Sequence, residues 1–368
     1  MTKPLLDIYA DLHNIAEPAW KENKTAAYIA NYLKALPGFE VQSGVAGGTG
    51  VVAVLKGKMP GDKVGFRADI DALLFNKDGK TTAVHACGHD SHVAMLLAFA
   101  DQVSKTGINR GELKLIFQPA EEVDTGSRAV IKDKVVDDLD WLFAMHLRPF
   151  QELNSNECCP LLQHGSNYCI QAVIHGKGAH AGRPHLAVNT AEIAVQIINA
   201  VNSLREDPSI QHSAKITKIM AGGKSLNTIP DCCEIAFDLR AQTNEIMRSL
   251  ISKISSIIES VPKLYGGSAE ITQVEGVPAA EIDEDAIKVA KNALVKVVGA
   301  ENIVDKLVSP GADDFHFYKL HKPTLKAAYM GIGCGLTPGL HDPEMHFDQE
   351  ALFKGPKIYQ EIVNQILM

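Results

Sequence analysis

The chain has 368 residues, 46% of them hydrophobic and 22% charged, and carries a formal net charge of -8 at pH 7. This composition is typical of a soluble globular protein with room for about two domains. The excess of acidic residues argues against a nucleic-acid partner, because proteins that bind the phosphate backbone cluster Lys and Arg on one surface.

The N-terminal part of the chain is predicted to form helices followed by strands. Residues 5–36 place apolar side chains near helical spacing and are interrupted at Glu17-Pro18, which indicates two helices. Residues 51–55 and 64–66 are short apolar runs, typical of buried strands. These segments begin an alternation of strands and helices that continues along the chain.

Two aspartates follow the second of these strands. Asp69 and Asp71 are two residues apart, so both face one way on an extended backbone. One or both are candidates to hydrogen-bond a metal-ligating histidine. Strand-end aspartates that take part in a turn are an equally common alternative.

The segment 85–92 packs three histidines, a thiol and a carboxylate into eight residues. If it is extended, Cys87 and His89 project to the same side, and both supply ligands that a zinc-like ion prefers. Gly88 leaves room for a metal or substrate to approach the backbone. The apolar run 93–100 predicts a buried helix, which puts the cluster at a strand-to-helix junction. A polar loop with incidental histidines is the alternative.

A pair of glutamates follows the next predicted strand, residues 112–117. Pro119 ends that strand, so Glu121 and Glu122 lie in the loop beyond its carboxyl end, where α/β folds place their sites. Adjacent glutamates can direct one carboxylate to a metal and the other to a water. Taken alone, such a pair is more often solvated.

Another apolar strand, residues 141–146, delivers His146 at its carboxyl end. A histidine in this position is either a metal ligand or a hydrogen-bonded residue of the core. Strands alternating with helical stretches to this point predict an α/β fold, with a mostly parallel central sheet flanked by helices.

A second domain is predicted to be inserted at 166–275. Its segments follow the order strand, helix, strand, strand, helix, strand, which is the order of a two-layer α+β (ferredoxin-like) domain. The segments are 168–175, 185–206, 214–220, 233–239, 246–261 and 269–274. An exposed sheet edge in this domain invites pairing of identical chains, so we expect a dimerisation domain and a homodimer.

The remaining residues are assigned to the first domain, which comprises 1–165 together with 276–368. The part from Pro278 onward contains helices, an apolar strand near 325–330 and a C-terminal helix from Gln349. These elements are expected to complete the sheet of the first domain.

Neither a secretory signal nor a membrane span is expected. The first twenty residues lack the apolar core of a signal peptide, and no apolar run approaches the roughly 20 residues needed to cross a bilayer. The seven cysteines are odd in number and include the adjacent pairs Cys158-Cys159 and Cys232-Cys233. This pattern favours reduced thiols, and therefore a cytoplasmic protein, over a disulfide framework.

Six motifs in one order along the chain resemble the amidohydrolase branch of the aminoacylase and carboxypeptidase family of two-metal peptidases. They lie at residues 67–73, 85–92, 118–122, 175–184, 227–230 and 340–347. The resemblance covers nearly the whole chain. It implies a metal-dependent amidohydrolase that releases an L-amino acid from an N-acyl conjugate or a short peptide.

The resemblance also implies a metal centre and a catalytic base. Two divalent ions per subunit are expected, zinc or manganese first, with cobalt and nickel as alternatives. Glu121 is implied as the general base that activates a water, and Asp71 as the support of a ligating histidine. The implied metal ligands are Cys87, His89, Glu122, His146 and His341.

The inserted domain is implied to supply contacts to the substrate. His180 resembles the family histidine that reaches the scissile carbonyl, often from the partner subunit, where it stabilises the developing oxyanion. Asn227 and Arg240 resemble the pair that holds the free carboxylate of the amino-acid half. A surface histidine and an ordinary ion pair are the alternatives for His180 and Arg240.

Two other functions remain open at this point. A dipeptidase or carboxypeptidase would use the same metal centre. A non-catalytic protein that binds aminoacyl ligands would keep the pocket, although Glu121 argues against it because a binding protein has no use for a base beside the metal.

The sequence departs from the family pattern at two places. Leu74 stands where the family usually has proline, and the connection from Leu74 to Val84 is short for this branch. Asp313-Asp314-Phe315 stands where many relatives have Glu-Asp-Phe. Neither departure removes an expected ligand, so the sequence supports the chemistry better than the choice of substrate.

Overall fold

The computed structural model describes residues 3–77, 79–309 and 311–368, and the chain divides into two units. The first unit contains the described residues of 1–163, 282–309 and 313–368. The second contains residues 164–281 with 311–312. The predicted insertion, 166–275, falls inside the second unit.

The strands are numbered in chain order. They are β1 (Phe39–Val45), β2 (Gly50–Lys56), β3 (Met59–Asp69), β4 (Leu73–Lys77), β5 (Lys80–Val84), β6 (Arg110–Gln118), β7 (Trp141–Pro149), β8 (Cys158–Cys159), β9 (Leu162–His164), β10 (Ser166–His175), β11 (Ala179–His180), β12 (His212–Ala221), β13 (Thr228–Ile229), β14 (Cys232–Ala241), β15 (Ser268–Val277), β16 (Leu307–Ser309) and β17 (Lys326–Leu336).

The α-helices are numbered in the same way. They are α1 (Leu5–His13), α2 (Asn23–Lys34), α3 (His89–Thr106), α4 (Gly126–Lys132), α5 (Thr190–Asn202), α6 (Asn244–Leu264), α7 (Glu284–Val298), α8 (His316–His321) and α9 (Lys354–Ile366). In the described part of the chain, no helix is both long and apolar enough to span a membrane.

A seven-stranded sheet of order β1-β2-β6-β3-β7-β17-β8 organises the first unit. The four strands β6, β3, β7 and β17 run parallel, whereas β1, β2 and β8 pair antiparallel at the two edges. The predicted α/β fold with a central sheet flanked by helices is confirmed. The antiparallel edge follows from the short turn between β1 and β2, because strands joined so tightly must reverse direction.

Side chains alternate between two cores on the faces of this sheet. In β7, Phe143 and Met145 belong to the larger core with residues of α1, α2, α3, α7 and α9, whereas Leu142 and Ala144 face the smaller core near α4 and α8. This period-2 alternation explains why β7 is buried along its whole length. Polar side chains at its carboxyl end are therefore held by a rigid strand.

The second unit contains a four-stranded antiparallel sheet of order β12-β14-β10-β15. With α5 between β10 and β12 and α6 between β14 and β15, this is the ferredoxin-like order that the sequence predicts. Helix α6 buries Leu250, Ile254 and Ile258 at four-residue spacing. Helix α5 is shorter than the predicted stretch 185–206, because Asn189 caps its start by accepting a hydrogen bond from the Ala191 amide at 3.1 Å.

Candidate metal centre

The candidate site lies where three parallel strands of the first unit end together. Asp69 ends β3 opposite Gln118, the last residue of β6, and His146 lies near the carboxyl end of β7. Loops beyond the carboxyl ends of parallel strands are the usual place for sites in α/β sheets. The strand register therefore gathers side chains from distant parts of the sequence.

Cys87 and His89 approach the site from the start of α3. The condition that Cys87 and His89 share an extended segment is not met, because α3 begins at His89, four residues before the predicted apolar run. Gly88 makes this early start possible: its φ of 88° is left-handed, which glycine adopts without a Cβ clash. Cys87 therefore lies before the helix and His89 within its first turn, both buried.

Asp71 fixes the orientation of His89. The His89 Nδ1–H lies 3.0 Å from the Asp71 carbonyl oxygen, to which it donates, and 3.2 Å from Asp71 Oδ1. The other nitrogen, Nε2, is left to face the site. Asp71 Oδ2 also accepts a hydrogen bond from the Glu122 amide at 3.0 Å. One carboxylate thus positions both a histidine and a glutamate, as expected for a support of metal ligands.

His146 is held in the same manner. Its Nδ1–H donates to the Leu147 carbonyl at 2.6 Å, and its Nε2 lies 3.4 Å from Cys87 Sγ. Burial lowers the pKa of His146 well below its usual value, which keeps the imidazole neutral and able to ligate a cation. Cys87, His89 and His146 form one group whose ligand atoms lie within 4.8 Å of one another.

A second group shares the thiol of Cys87. It consists of Cys87, Glu122 and His341, with His341 Nε2 3.4 Å from Glu122 Oε2. The backbone amide of His341 donates to the Ala86 carbonyl at 2.7 Å, which fixes this residue beside the 85–92 segment. Two three-ligand groups with a common thiolate are a suitable arrangement for two neighbouring cations.

Polar atoms without partners support this assignment. His89 Nε2 and Glu122 Oε1 are buried without a hydrogen-bond partner, and they lie 3.8 Å apart. Leaving such atoms unpaired costs free energy, so a buried pair facing one space fits a bound ion. The donor set of thiol, imidazole and carboxylate is the set that zinc and similar metals bind.

Glu121 lies beside these groups. Its Oε2 is 3.8 Å from His89 Nε2, and the residue is buried. Burial raises the pKa of Glu121 well above its usual value, and burial also raises the pKa of Glu122 to about 7. A buried carboxyl group with an elevated pKa is suited to exchange protons near neutral pH.

Behind Glu121 lies a buried ionic network that the sequence did not predict. Arg67 pairs with Asp69, and its Nη2 lies 3.0 Å from Asp314 Oδ1 and 3.4 Å from Asp313 Oδ1. Asp314 in turn accepts hydrogen bonds from the Gln118 side chain at 2.7 Å and 2.9 Å. The positive charge of the Arg67 guanidinium compensates the three buried carboxylates, whose removal from water would otherwise be costly.

Another contact missed from the sequence joins Asp69 to His92. The Leu147 amide donates to His92 Nε2 at 3.1 Å, so Nδ1 carries the proton that His92 donates to Asp69 at 2.6 Å. Asp69 therefore supports a histidine of the predicted cluster, although not one of the predicted ligands. The period-2 spacing of Asp69 and Asp71 was the signal for such a role, but it did not identify the partners.

The second unit holds the residues predicted to contact substrate. His180 and Asn227 are both exposed and adjacent, with His180 Nε2 3.4 Å from Asn227 Nδ2. Arg240 instead pairs with Asp238, at 2.9 Å and 3.1 Å. This ion pair is exposed, and such pairs contribute about 0–1 kcal/mol, so it is weak enough to be exchanged for another carboxylate.

The short connection between Asp71 and the 85–92 segment forms a β-hairpin. Strands β4 and β5 pair antiparallel from Leu73 opposite Val84 to Lys77 opposite Lys80. The side chain of Leu74, which replaces the usual proline, is largely exposed.

The chain is similar to known proteins over most of its length. A profile of peptidase family M20/M25/M40 matches residues 65–365. The chain is 29% identical to N-acetylcysteine deacetylase of Bacillus subtilis, over 99% of this chain and 97% of that protein. It is 31% identical to thermostable carboxypeptidase 1 of Saccharolobus solfataricus, over 84% of this chain and 81% of that protein.

A solved structure with the same fold comes from Bacillus subtilis. It is described as a dinuclear metal-binding peptidase of the M20 family, and it superimposes with a TM-score of 0.79 at 26% sequence identity. The match covers 98% of this chain and 96% of that one.

Proposed function

The chain belongs to peptidase family M20/M25/M40, and on this premise we propose that it hydrolyses N-acyl L-amino acids at a pair of divalent metal ions. At the level of the family it is a metal-dependent amidohydrolase. The relationship to an N-acetylcysteine deacetylase supports an acyl amino acid as substrate. The observation that carries the proposal is the convergence of two ligand groups on Cys87, with Glu121 beside them.

One ion is assigned to each ligand group. Cys87, His89 and His146 would hold the first ion, and Cys87, Glu122 and His341 the second. Such ions, when bound, polarise a substrate carbonyl and lower the pKa of a water from about 15.7 towards 7. Zinc and manganese are the first candidates for this mixed ligand set, and cobalt and nickel also suit it. The related dinuclear peptidase supports the count of two.

Glu121 is assigned as the general base. Its carboxylate takes a proton from the attacking water and returns it to the amine that leaves. The elevated pKa that burial gives this group favours the first step, because a more basic carboxylate takes the proton of the water more readily. Asp71 holds the Glu122 amide, the backbone group that follows Glu121.

His180, Asn227 and Arg240 are assigned to the substrate. His180 would donate a hydrogen bond to the oxyanion that develops on the scissile carbonyl. Arg240 would exchange its exposed partner Asp238 for the free carboxylate of the substrate, which its planar guanidinium binds with two parallel hydrogen bonds. Asn227, next to His180, would add a donor to the same carboxylate.

The assembly and compartment form part of the same proposal. The edge strand β12 of the second unit is available to pair with its copy in a homodimer, in which His180 would act in cis or in trans. The seven cysteines have free thiols, which suits the reducing cytoplasm.

Carboxypeptidase activity is a second candidate. The 31% identity to a thermostable carboxypeptidase over 84% of the chain favours it. In both reactions the substrate carries a free carboxylate next to the scissile amide. The same base and the same carboxylate-binding residues would therefore serve both. Matched N-acetyl amino acids and dipeptides, compared by kcat/KM, separate the two activities.

The neighbouring glutamates provide a matched test of the mechanism. We expect Glu121→Gln to retain both metal ions and to lose about 10²–10⁴-fold in kcat, because the general base is removed while the ligands remain. Glu122→Gln should instead lose metal, because it replaces a ligand. Metal content by elemental analysis and turnover of an N-acyl amino acid panel check both. Near wild-type turnover of Glu121→Gln would contradict the mechanism.

A further inference from the structure

The loop that carries Glu121 turns sharply just before it. Ala120 is fully buried and has the left-handed backbone conformation φ 54°, ψ 40°, which is uncommon for a residue with a Cβ. Its carbonyl oxygen accepts a hydrogen bond from the Gly126 amide at 3.1 Å. Such a conformation persists only where the surroundings hold it.

Glu22 also fixes the backbone at Ala120. The residue is 0% exposed, and its Oε1 accepts hydrogen bonds from the Ala120 amide at 2.9 Å and from the Trp20 amide at 3.0 Å. Its Oε2 accepts from the Thr49 hydroxyl at 2.8 Å. Both carboxylate oxygens are therefore engaged, which suits a group that holds the backbone and leaves neither oxygen for a metal.

We propose that Glu22 is a positioning residue for amide hydrolysis, which acts by fixing Ala120 and thereby the direction of the Glu121 carboxylate. On the far side of Glu121, the Glu122 amide is held by Asp71 at 3.0 Å. Two buried carboxylates, from distant segments of the chain, thus clamp the backbone on either side of the base. This inference rests on the proposed function, because it takes Glu121 as the base.

Loss of this contact should act on turnover rather than on substrate binding. A misplacement of about 1 Å can cost about 10²-fold in rate, because the base must meet the water in one geometry. The hydrogen-bond donors to the Glu22 carboxylate, which are Trp20, Thr49 and Ala120, are neither metal ligands nor substrate-binding residues of the proposal. We therefore expect kcat to fall while KM and metal content change little.

Three variants distinguish positioning from a merely structural role. Glu22→Ala should keep both metals and lose about 10-fold or more in kcat, with KM within about threefold of wild type. Glu22→Gln should rescue most of the activity, because its amide oxygen still accepts from Ala120 and the Thr49 hydroxyl can accept from its amide group. Thr49→Val, the matched control, removes a donor to Glu22 without touching Ala120 and should keep wild-type kcat.

Wild-type kcat in Glu22→Ala would show that Glu22 does not position the base. A loss in Glu22→Gln equal to that in Glu22→Ala would show the same, because glutamine keeps the acceptor for the Ala120 amide. If Glu22→Ala does not fold, Glu22→Asp gives the same comparison, because it keeps the charge but is one methylene too short to reach Ala120.

Amide hydrogen exchange supplies a readout that needs no substrate. In the wild type the buried Ala120 amide should exchange slowly, and in Glu22→Ala it should lose that protection while core amides of β6 keep theirs. Unchanged protection of Ala120 would overturn the inference. An inactive wild type with the expected exchange would contradict the proposed function alone, so the two failures are distinguishable.

Discussion

Among the individual residues, Cys87 is the one shared by the two proposed ligand groups. Burial raises the pKa of its thiol, so without a cation the protonated form is favoured. A bound metal reverses this preference by deprotonating a coordinating thiol outright. Metal binding at Cys87 should therefore release a proton and strengthen as pH rises.

We expect Cys87→Ser to weaken binding of both ions, because a serine hydroxyl is a much poorer anionic ligand than a thiolate. Elemental analysis after dialysis against a weak chelator measures the loss. Cys334→Ser, at a buried cysteine of β17 outside both groups, is the matched control and should keep the wild-type metal content. Retention of two ions in Cys87→Ser would remove the thiol from the ligand set.

Residue patterns predicted some of these roles and missed others for a physical reason. The Asp71 support was expected from its spacing, and the contact to His89 agrees with that role. Glu22 gave no signal, because its partner Ala120 is 98 residues further along the chain and the contact is made to a backbone amide. A hydrogen bond between distant segments produces no periodic pattern in the sequence, so it cannot be predicted in this way.

Among the elements, α3 is the one that most directly shapes the site. The apolar run predicted the helix, but its first turn consists of polar residues that are buried, which hydrophobic periodicity does not detect. The antiparallel edges of the main sheet were missed for a related reason. Buried strands have the same apolar pattern in either direction, so direction is set by connections and register.

We expect Gly88→Ala to destabilise the fold by about 1–2 kcal/mol, because the left-handed backbone at Gly88 is unfavourable for a residue with a Cβ. It should also lower metal affinity, since this glycine separates Cys87 from His89. Gly79→Ala, in the β4–β5 turn with a φ of 78° and no atom near its added Cβ, is the matched control. Thermal unfolding and metal titration compare the two.

Similar destabilisation of both variants with a loss of metal only in Gly88→Ala would support this account. If both variants bound metal as tightly as the wild type, the start of α3 would not matter for the site.

Across the whole molecule, the proposed site draws on residues from the first third of the chain to its last thirty. The order of the motifs gave the family and the candidate ligands, and the alternation of elements gave the architecture. No sequence pattern predicted the distances between the ligand atoms, because these distances follow from strand register and loop conformation. The roles of His180, Asn227 and Arg240 remain predictions for the same reason.

The oligomeric state is a property of the whole molecule that can be measured in solution. If the edge strand β12 pairs with its copy, we expect sedimentation velocity to give twice the 39.8 kDa mass of the chain across micromolar loading concentrations. A monomer with full activity over that range would exclude a role for His180 in trans.

The most direct test of the account is anomalous diffraction from crystals of the metal-loaded protein, recorded on both sides of the absorption edge of the metal. We predict two peaks a few ångströms apart, one beside His89 and His146 and the other beside Glu122 and His341, with Cys87 Sγ near both. A single ion, or a second ion remote from His341, would contradict the two-metal site.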